Sequence, residues 1–382
     1  MPGPPEMSGR GRGLRRRVGR VADRALVRLG VRTEHIEIRP KHSSTAAEYA
    51  GRFGARWQVV KPADQPVRVP AIQFGARSAD FERLLVPVPD LGLLWLDRAT
   101  IVGPMSQVVS KEGYLVSSTT FWHAWTKGIP DWGRRAQVQP LRGALLSIGS
   151  DYARGNYGHF LLDSVPRIAL VEGAGVSWDD VDHVYCSIPS ASAGRLLDQL
   201  GVPTDRRVLA TPGVAIRPDT GIVTSYPGSR RNYPRWMVEF LRERLGVSAA
   251  APSRRLYIPR TGHRQISNLD DLMPLLEQHG FEIFEPTNGG EDPRHAFAEA
   301  EVVVGGHGAG LADLVFSRPG TRVLELVPDS HAMPFYMTLS GSADLRYGYL
   351  LGTGQPSAEP KPKWDYRIDP DEFRAALEAT LG

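Results

Sequence analysis

The sequence predicts an α/β protein built as two doubly wound, Rossmann-like domains facing a cleft, preceded by a basic N-terminal tail. Three observations carry that expectation. From about residue 254 onward, strand-like and helix-like patterns alternate with little length between them, the signature of a parallel sheet wrapped by helices. An apolar run breaks at a glycine-rich turn and a helical pattern follows, in "VVVGGHGAGLADLVF" (302–316). The chain has 382 residues, more than one ordinary domain holds.

The elements follow in order. Residues 1–40 form the tail, which is basic and either amphipathic or disordered. Eight arginines stand against Glu6 and Asp23 within residues 1–28, a net +6, whereas the whole chain is +4. The basicity therefore belongs to the tail, and the rest of the chain is slightly acidic. That argues against a nucleic-acid-binding fold, which carries its charge on a folded face. Leu14, Val18, Val21, Ala22, Ala25 and Leu29 fall at helical spacing with arginines between them. Residues 10–30 are thus expected either to lie on an anionic membrane surface or to form a loose leader, which Gly11, Gly13 and Gly19 favour.

Residues 41–247 form the first domain. Short strands with proline and glycine turns occupy 65–140. The strand "GALLSIGS" (143–150) precedes a helix from about 155, and "VDHVYCSIP" (181–189) precedes another at 190–201. A helix at 234–246 closes the domain, and "VSAAAPS" is the linker.

Residues 254–355 form the second domain. "LYIPR" (256–260) reads as a strand, and 267–280 as a helix opened by Ser267 and Asp270 in capping-box spacing. "FEIFEP" (281–286) is a strand. Residues 292–300 form a helix capped by Asp292 with Pro293 in its first turn. "EVVVGG", a short helix over 309–317, "TRVLELV" (321–327), a helix near 333–343 and "DLRYGYLL" (344–351) complete the alternation. A proline-rich loop and a C-terminal helix fill 356–382.

The single cysteine, Cys186, excludes an intramolecular disulfide and a cysteine-based zinc cluster, and fits a reducing, cytoplasmic compartment. No window of 18 uninterrupted apolar residues occurs, so no membrane-spanning helix is expected.

In doubly wound sheets ligands sit beyond the carboxyl ends of the strands. The turn at 305–310 is such a place, and amides at a helix start favour an anion, most often phosphate. Gly306, Gly308 and Gly310 do not give GxGxxG, and no GxxxxGK occurs, so dinucleotide and P-loop readings lose ground. Arg260 ends the domain's first strand, with Arg264 four residues on, both suited to phosphate oxygens. Glu325 lies inside the apolar "VLELV", where a carboxylate needs a partner; ribose or sugar hydroxyls would supply one. The donor-side candidates are Arg260, Arg264, His307, Gly308, Ala309, Gly310 and Glu325, and together they suggest a sugar nucleotide.

A second constellation is "GNYGHFLLDSVPRIALV" (155–171). Asn156, His159 and Asp163 fall at i, i+3 and i+7 on one helix face. His159 and Asp163 are the catalytic candidates, either one accepting a proton from an acceptor hydroxyl while the other orients it. The alternative is a buried hydrogen-bonded pair that fixes the helix. Asn156 and Tyr157 would face the acceptor. Asp180/Asp182 and Asp369/Asp371 have the Asp-x-Asp spacing of metal-dependent transferases, but they read as surface or capping residues.

The segment "NYGHFLLDSVPRI" resembles the N-x-x-H-x-x-x-D stretch of glycosyltransferase family 61. "LYIPR", the helix and strand after it, "AEAEVVVGGHGAGLADLVF" and "PGTRVLELVP" are similar to that family's C-terminal half in order and spacing. The resemblance implies an inverting transferase of GT-B-like architecture. It would move a sugar from a nucleotide-sugar donor, commonly a UDP-sugar, to a hydroxyl of a glycan acceptor, with no metal or other cofactor. Bacterial members are associated with capsule or exopolysaccharide synthesis. The rival expectations are a polysaccharide pyruvyltransferase using phosphoenolpyruvate and a non-catalytic sugar-nucleotide or glycan-binding protein.

Overall fold

The computed structural model describes residues 34–38, 40–65, 71–75, 78–79, 81, 85–103, 105–120, 135–228, 232–248, 250–286 and 290–382. Residues 1–33 of the expected tail lie outside the described residues, and its end is corrected: Glu34–Glu37 is a strand that pairs antiparallel with Arg135–Ser147 in the first sheet. No described helix is long and apolar enough to cross a membrane.

Among the described residues the first sheet has eleven strands. Its centre is parallel: Arg207–Leu209, His183–Cys186, Arg135–Ser147 and Val214–Thr224 lie side by side in that order. The outer edge of Val214–Thr224 pairs antiparallel with two strands in succession, Leu91–Asp97 along one end and Thr100–Val102 along the other. Gln107–Val109 and Tyr114–Val116 extend this antiparallel wing. The expectation of a doubly wound first domain is therefore corrected: an antiparallel wing flanks the parallel centre, and at its far end His42–Ser44 pairs parallel with Tyr114–Val116. The connections between the wing strands span a few residues, whereas a parallel pair needs a crossover of about a dozen or more.

The second sheet fulfils its expectation. Glu282–Ile283, Arg254–Ile258, Ala300–Gly306, Arg322–Pro328 and Arg346–Gly354 are parallel in that spatial order. Counted along the chain this is the order 2-1-3-4-5, and direction reverses between Arg254–Ile258 and Ala300–Gly306. The crevice at that reversal, beyond Ile258 and Gly306, is where such sheets take ligands.

Two strands join this sheet from outside residues 254–355. Tyr366–Arg367 pairs antiparallel with Arg346–Gly354, and Ile72–Phe74 runs parallel along the same strand. The helix Pro370–Leu381 buries Phe373, Ala376 and Leu377 in the core shared with Leu324 and Leu350. The C-terminal segment is thus part of the second sheet's packing. The two sheets also share one continuous core, in which Leu161 and Ile168 join Leu256, Leu311 and Val315.

Local signals were mostly obeyed. Asp292 caps the helix Pro293–Glu299 with Pro293 in its first turn. The helix expected from Ser267 instead runs Leu269–Gln278, with Asn268 before it and no side-chain cap. Asn268 is taken by the C-terminal strand: its amide donates to the carbonyl of Ile368 (2.8 Å) and its oxygen accepts from the Ile368 amide (3.0 Å). The strand expected over 281–286 is only Glu282–Ile283, an exposed edge pair. Asp180 and Asp369 are caps, as read from sequence, and Asp182 accepts from the Ala144 amide.

Candidate active site

The buried strand Ala300–Gly306 delivers the chain to the crevice, and a 3-10 helix, Ala309–Phe316, leaves it. The glycines between them are needed for room. Gly308 is fully extended, at φ 178°, a conformation open to any residue. A Cβ there would meet Arg260 Nη1 at 2.4 Å; one on Gly306 would lie 3.1 Å from the Arg260 Cβ. The bare backbone thus lets the Arg260 side chain lie across the turn.

Arg260 donates through Nε to the carbonyl of His263 (2.9 Å), and no carboxylate pairs with it among the described residues. Burial holds its pKa below the ordinary arginine value. It remains a desolvated cation aimed at the crevice, and such a cation attracts an anion strongly.

The crevice opens into a cavity of about 620 Å³ between the two sheets. Arg260, Gly308, Ala309 and Gly310 line one wall, and Arg195 and Ser192 on the helix Ala191–Gln199 line the other. Arg195 and Arg294, which were not singled out in the sequence, bring further positive charge. Arg294 is braced by Asp292 (2.6 Å), Gln199 (3.0 Å) and the carbonyl of Leu245 (2.9 Å). Arg264 is absent from the lining. It sits at φ 61° and donates to the carbonyl of Pro362 (3.2 Å), so its expected phosphate role is replaced by an anchor to the C-terminal loop.

Asp313 lies at the base of this cavity and was also missed. It is fully buried, its Oδ1 accepts from Tyr157 Oη (3.1 Å), and its Oδ2 has no partner among the described residues. Desolvation pushes its carboxyl up to about 7, against the opposing hydrogen bond of Tyr157. A raised acid pKa means that the folded protein keeps the proton to higher pH than the unfolded chain does. Stability is therefore lost as pH rises from about 4 to about 7. Asp313→Asn keeps an oxygen for Tyr157 and removes the charge. It is expected to melt several degrees above wild type at pH 8 and level with it at pH 4. A difference independent of pH would contradict this reading.

Glu325 has partners within the fold. It is fully buried; Oε1 pairs with His307 Nδ1 at 2.5 Å, and Oε2 accepts from Tyr347 Oη. Burial raises its pKa. His307 is itself 3% exposed and absent from the cavity lining, with Phe335 stacked on it at 5.7 Å. The expected ribose contact of Glu325 and donor contact of His307 are thus corrected to a buried brace. Its amide, donating to the Leu326 carbonyl (2.9 Å), fixes where the turn starts, and Tyr336 Oη donates to the Gly308 carbonyl.

The second constellation stands against the first. Asn156 caps a short helical turn, its Oδ1 accepting from the His159 amide (3.2 Å). The chain then widens into a π-turn over Phe160–Ser164, immediately before Pro166, and returns to α-helix at Arg167. Such turns recur at functional sites because they re-aim side chains. A Cβ on Gly158 would lie 3.3 Å from Ala309 Cα, so the dyad helix starts directly on the glycine turn.

His159 Nδ1 and Asp163 Oδ2 are 2.6 Å apart. Asp163 is fully buried, and its other oxygen accepts from Tyr226 Oη (2.9 Å) and Tyr233 Oη (3.3 Å). The His159 side chain is 20% exposed. The pair therefore has an inner and an outer member, and only His159 can meet a substrate. Neither tyrosine was identifiable from sequence, since 63 and 70 residues separate them from Asp163.

Arg167 holds the dyad from beneath. Fully buried, it donates to the carbonyls of Asp163 (2.8 Å), Thr224 (3.1 Å) and Thr119 (2.9 Å). Burial lowers its pKa to about 10, which leaves it charged at neutral pH. Arg167→Leu strands these acceptors in the core. It is expected to destabilise the fold by roughly 3 kcal/mol or more, read by urea unfolding. A loss below about 1 kcal/mol would show that water replaces the guanidinium.

Among the described residues, no three or more His, Cys, Asp or Glu side chains cluster as metal ligands would.

Residues 157–324 match the family "Glycosyltransferase 61". A β-1,2-xylosyltransferase of Oryza sativa subsp. japonica, XAX1, is 27% identical over 194 residues, 48% of this chain and 34% of that protein. An α-1,3-arabinosyltransferase of the same plant, XAT2, is 32% identical over 88 residues, 22% of this chain and 15% of that protein. The chain thus spans about a third or less of the length of these curated relatives. The crystal structure of the iron-containing dodecameric glycosyltransferase TibC from enterotoxigenic E. coli aligns over 84% of this chain and 99% of that one. Its identity of 11% and TM-score of 0.35 carry no inference.

Proposed function

Since residues 157–324 make this chain a member of glycosyltransferase family 61, we propose that it is an inverting, metal-independent transferase. It moves a sugar, a pentose or hexose, from a nucleoside-diphosphate donor, UDP-linked by preference, to a hydroxyl of a glycan acceptor. The two-sheet body corresponds to a GT-B-like arrangement, with the donor on the second sheet and the acceptor on the first.

The observation that carries this reading is the contact between Gly158 and Ala309. It seats the helix that carries the histidine–carboxylate pair on the glycine turn that Arg260 crosses. The diphosphate lies against Arg260 and the turn at Gly308–Gly310. Ribose hydroxyls, out of reach of Glu325, fall to Glu285 on the cavity rim.

His159 takes the proton of the acceptor hydroxyl as that oxygen attacks the anomeric carbon. The bond from that carbon to the diphosphate oxygen breaks with its electron pair going to the diphosphate. Asp163 keeps Nδ1 of His159 in its hydrogen bond, so the other ring nitrogen is the basic one, and it stabilises the imidazolium that forms. Arg260 meets charge that grows as the bond breaks, and interactions that strengthen toward the transition state are those that accelerate it. In this scheme Arg260 does what a divalent ion does in metal-dependent transferases.

The test is incubation with a panel of UDP-sugars and methyl pyranosides, followed by NMR of the product's anomeric proton. Transfer with inversion, unchanged by EDTA, is expected. Retention of configuration, or loss of the rate in EDTA, would overturn the mechanism.

A further inference from the structure

The loop between the strand Arg135–Ser147 and the dyad helix contains one exposed aromatic side chain, Tyr152. Its neighbours behave otherwise: Ser150, Asp151 and Ala153 are fully buried, whereas Tyr152 is 39% exposed. Its backbone sits at φ 62°, in the left-handed region that a bulky L-residue enters rarely and glycine or asparagine fills at lower cost. The loop is tied at both ends of that conformation. The Ala153 amide donates to the Ser150 carbonyl (3.3 Å), and the Gly155 amide to the Tyr152 carbonyl (3.1 Å). Ser150 Oγ in turn accepts from the buried Arg167 (3.3 Å). The structure thus holds a large aromatic ring outward, in a backbone conformation that disfavours it.

That ring lies beside the base. Its centroid is 5.4 Å from the His159 imidazole, tilted by 40°. Phe335 also neighbours His159, at 6.5 Å and edge-on. A hydroxyl bound at His159 therefore has the Tyr152 ring within reach of the sugar that carries it. Tyr152 belongs to the loop that leaves the carboxyl end of Arg135–Ser147 in the first sheet, the sheet assigned to the acceptor above. A flat, neutral ring suits a ligand with an apolar face and polar rim, and a pyranose has both.

We infer that Tyr152 is the platform of the acceptor subsite, on which a pyranose ring stacks and presents one hydroxyl to His159. The inference rests on the transferase reading above and adds the acceptor's chemistry and place to it. Tyr152 is a positioning residue: it touches the acceptor and leaves the proton to His159.

The experiment compares Tyr152→Ala, Tyr152→Phe and Tyr152→Gly with methyl β-xyloside, β-glucoside, β-galactoside and α-mannoside as acceptors. UDP-induced thermal stabilisation is the separate readout of the donor side. For whichever pyranoside the wild type accepts, Tyr152→Ala is expected to raise its KM about tenfold or more, with the UDP-induced shift equal to wild type. Tyr152→Phe should keep the wild-type KM. Tyr152→Gly relieves the backbone yet should lose acceptor affinity as the alanine variant does. An unchanged acceptor KM in Tyr152→Ala, or a KM restored by Tyr152→Gly, would overturn the platform and show a merely structural loop. A wild type that binds UDP but accepts none of the pyranosides overturns the pyranose assignment alone. A wild type that neither binds a nucleoside diphosphate nor transfers overturns the transferase reading beneath it.

Discussion

Replacing His159 with alanine is expected to lower the turnover of sugar transfer by about 10²–10⁴-fold, the usual size of a lost general base. The affinity for nucleoside diphosphate should stay within about twofold of wild type, because His159 does not line the cavity that Arg260 does. The asymmetry of the dyad sharpens the expectation. Asp163 is sealed by Tyr226 and Tyr233 and cannot touch an acceptor, so it acts only through His159. Asp163→Asn should therefore lose rate too, by presenting an amide to Nδ1 and unsettling which ring nitrogen carries the proton. Steady-state kinetics with thermal melts on both variants checks this. A His159→Ala enzyme with wild-type turnover would leave the pair a structural one, which fixes the π-turn before Pro166.

Arg260→Ala is expected to do the reverse. Nucleoside-diphosphate affinity should fall on the order of a hundredfold, roughly 2.7 kcal/mol, as the cation laid across the glycine turn is removed. The ligand-free variant should be at least as stable as wild type, since a desolvated cation with no carboxylate partner is a cost to the empty fold. Isothermal titration and melting curves measure the two halves separately. Loss of fold stability without loss of nucleotide affinity would make Arg260 a brace for the turn and move the anion site elsewhere.

The second sheet was legible because its signals are local. Each strand there up to Arg322–Pro328 is followed by its own turn and helix before the next strand begins, so periodicity alone orders them, from Arg254–Ile258 to Arg346–Gly354. The first sheet is non-local. Val214–Thr224 sits between Arg135–Ser147 and Leu91–Asp97, and nothing in those three segments names the others as partners. Likewise Ile72–Phe74 crosses into the second sheet through three paired residues, too short a run to be read.

The site divides in the same way. His159 and Asp163 are one helical turn apart and were visible as a pair. The glycine turn was visible too, but the reason for its glycines was not: they make room for Arg260, a close approach set by tertiary packing. Glu325 was rightly seen as a carboxylate that needed a partner. Its partners are His307 at the end of the neighbouring strand and Tyr347 on the next, where ribose had been expected. Asp313 carried the same signal, an acid within an apolar helix, and its partner Tyr157 is 156 residues away.

The most direct measurement of the central claim is a thermal-shift series with UDP, GDP, CMP, ADP, NAD and phosphoenolpyruvate on wild type, His159→Ala and Arg260→Ala. A ligand at about a hundred times its dissociation constant adds roughly 2.7 kcal/mol, a readily resolved shift. The account predicts that one nucleoside diphosphate, UDP first among them, stabilises wild type and His159→Ala alike and leaves Arg260→Ala unmoved. Stabilisation by phosphoenolpyruvate alone, or equal stabilisation of all three proteins, would contradict it.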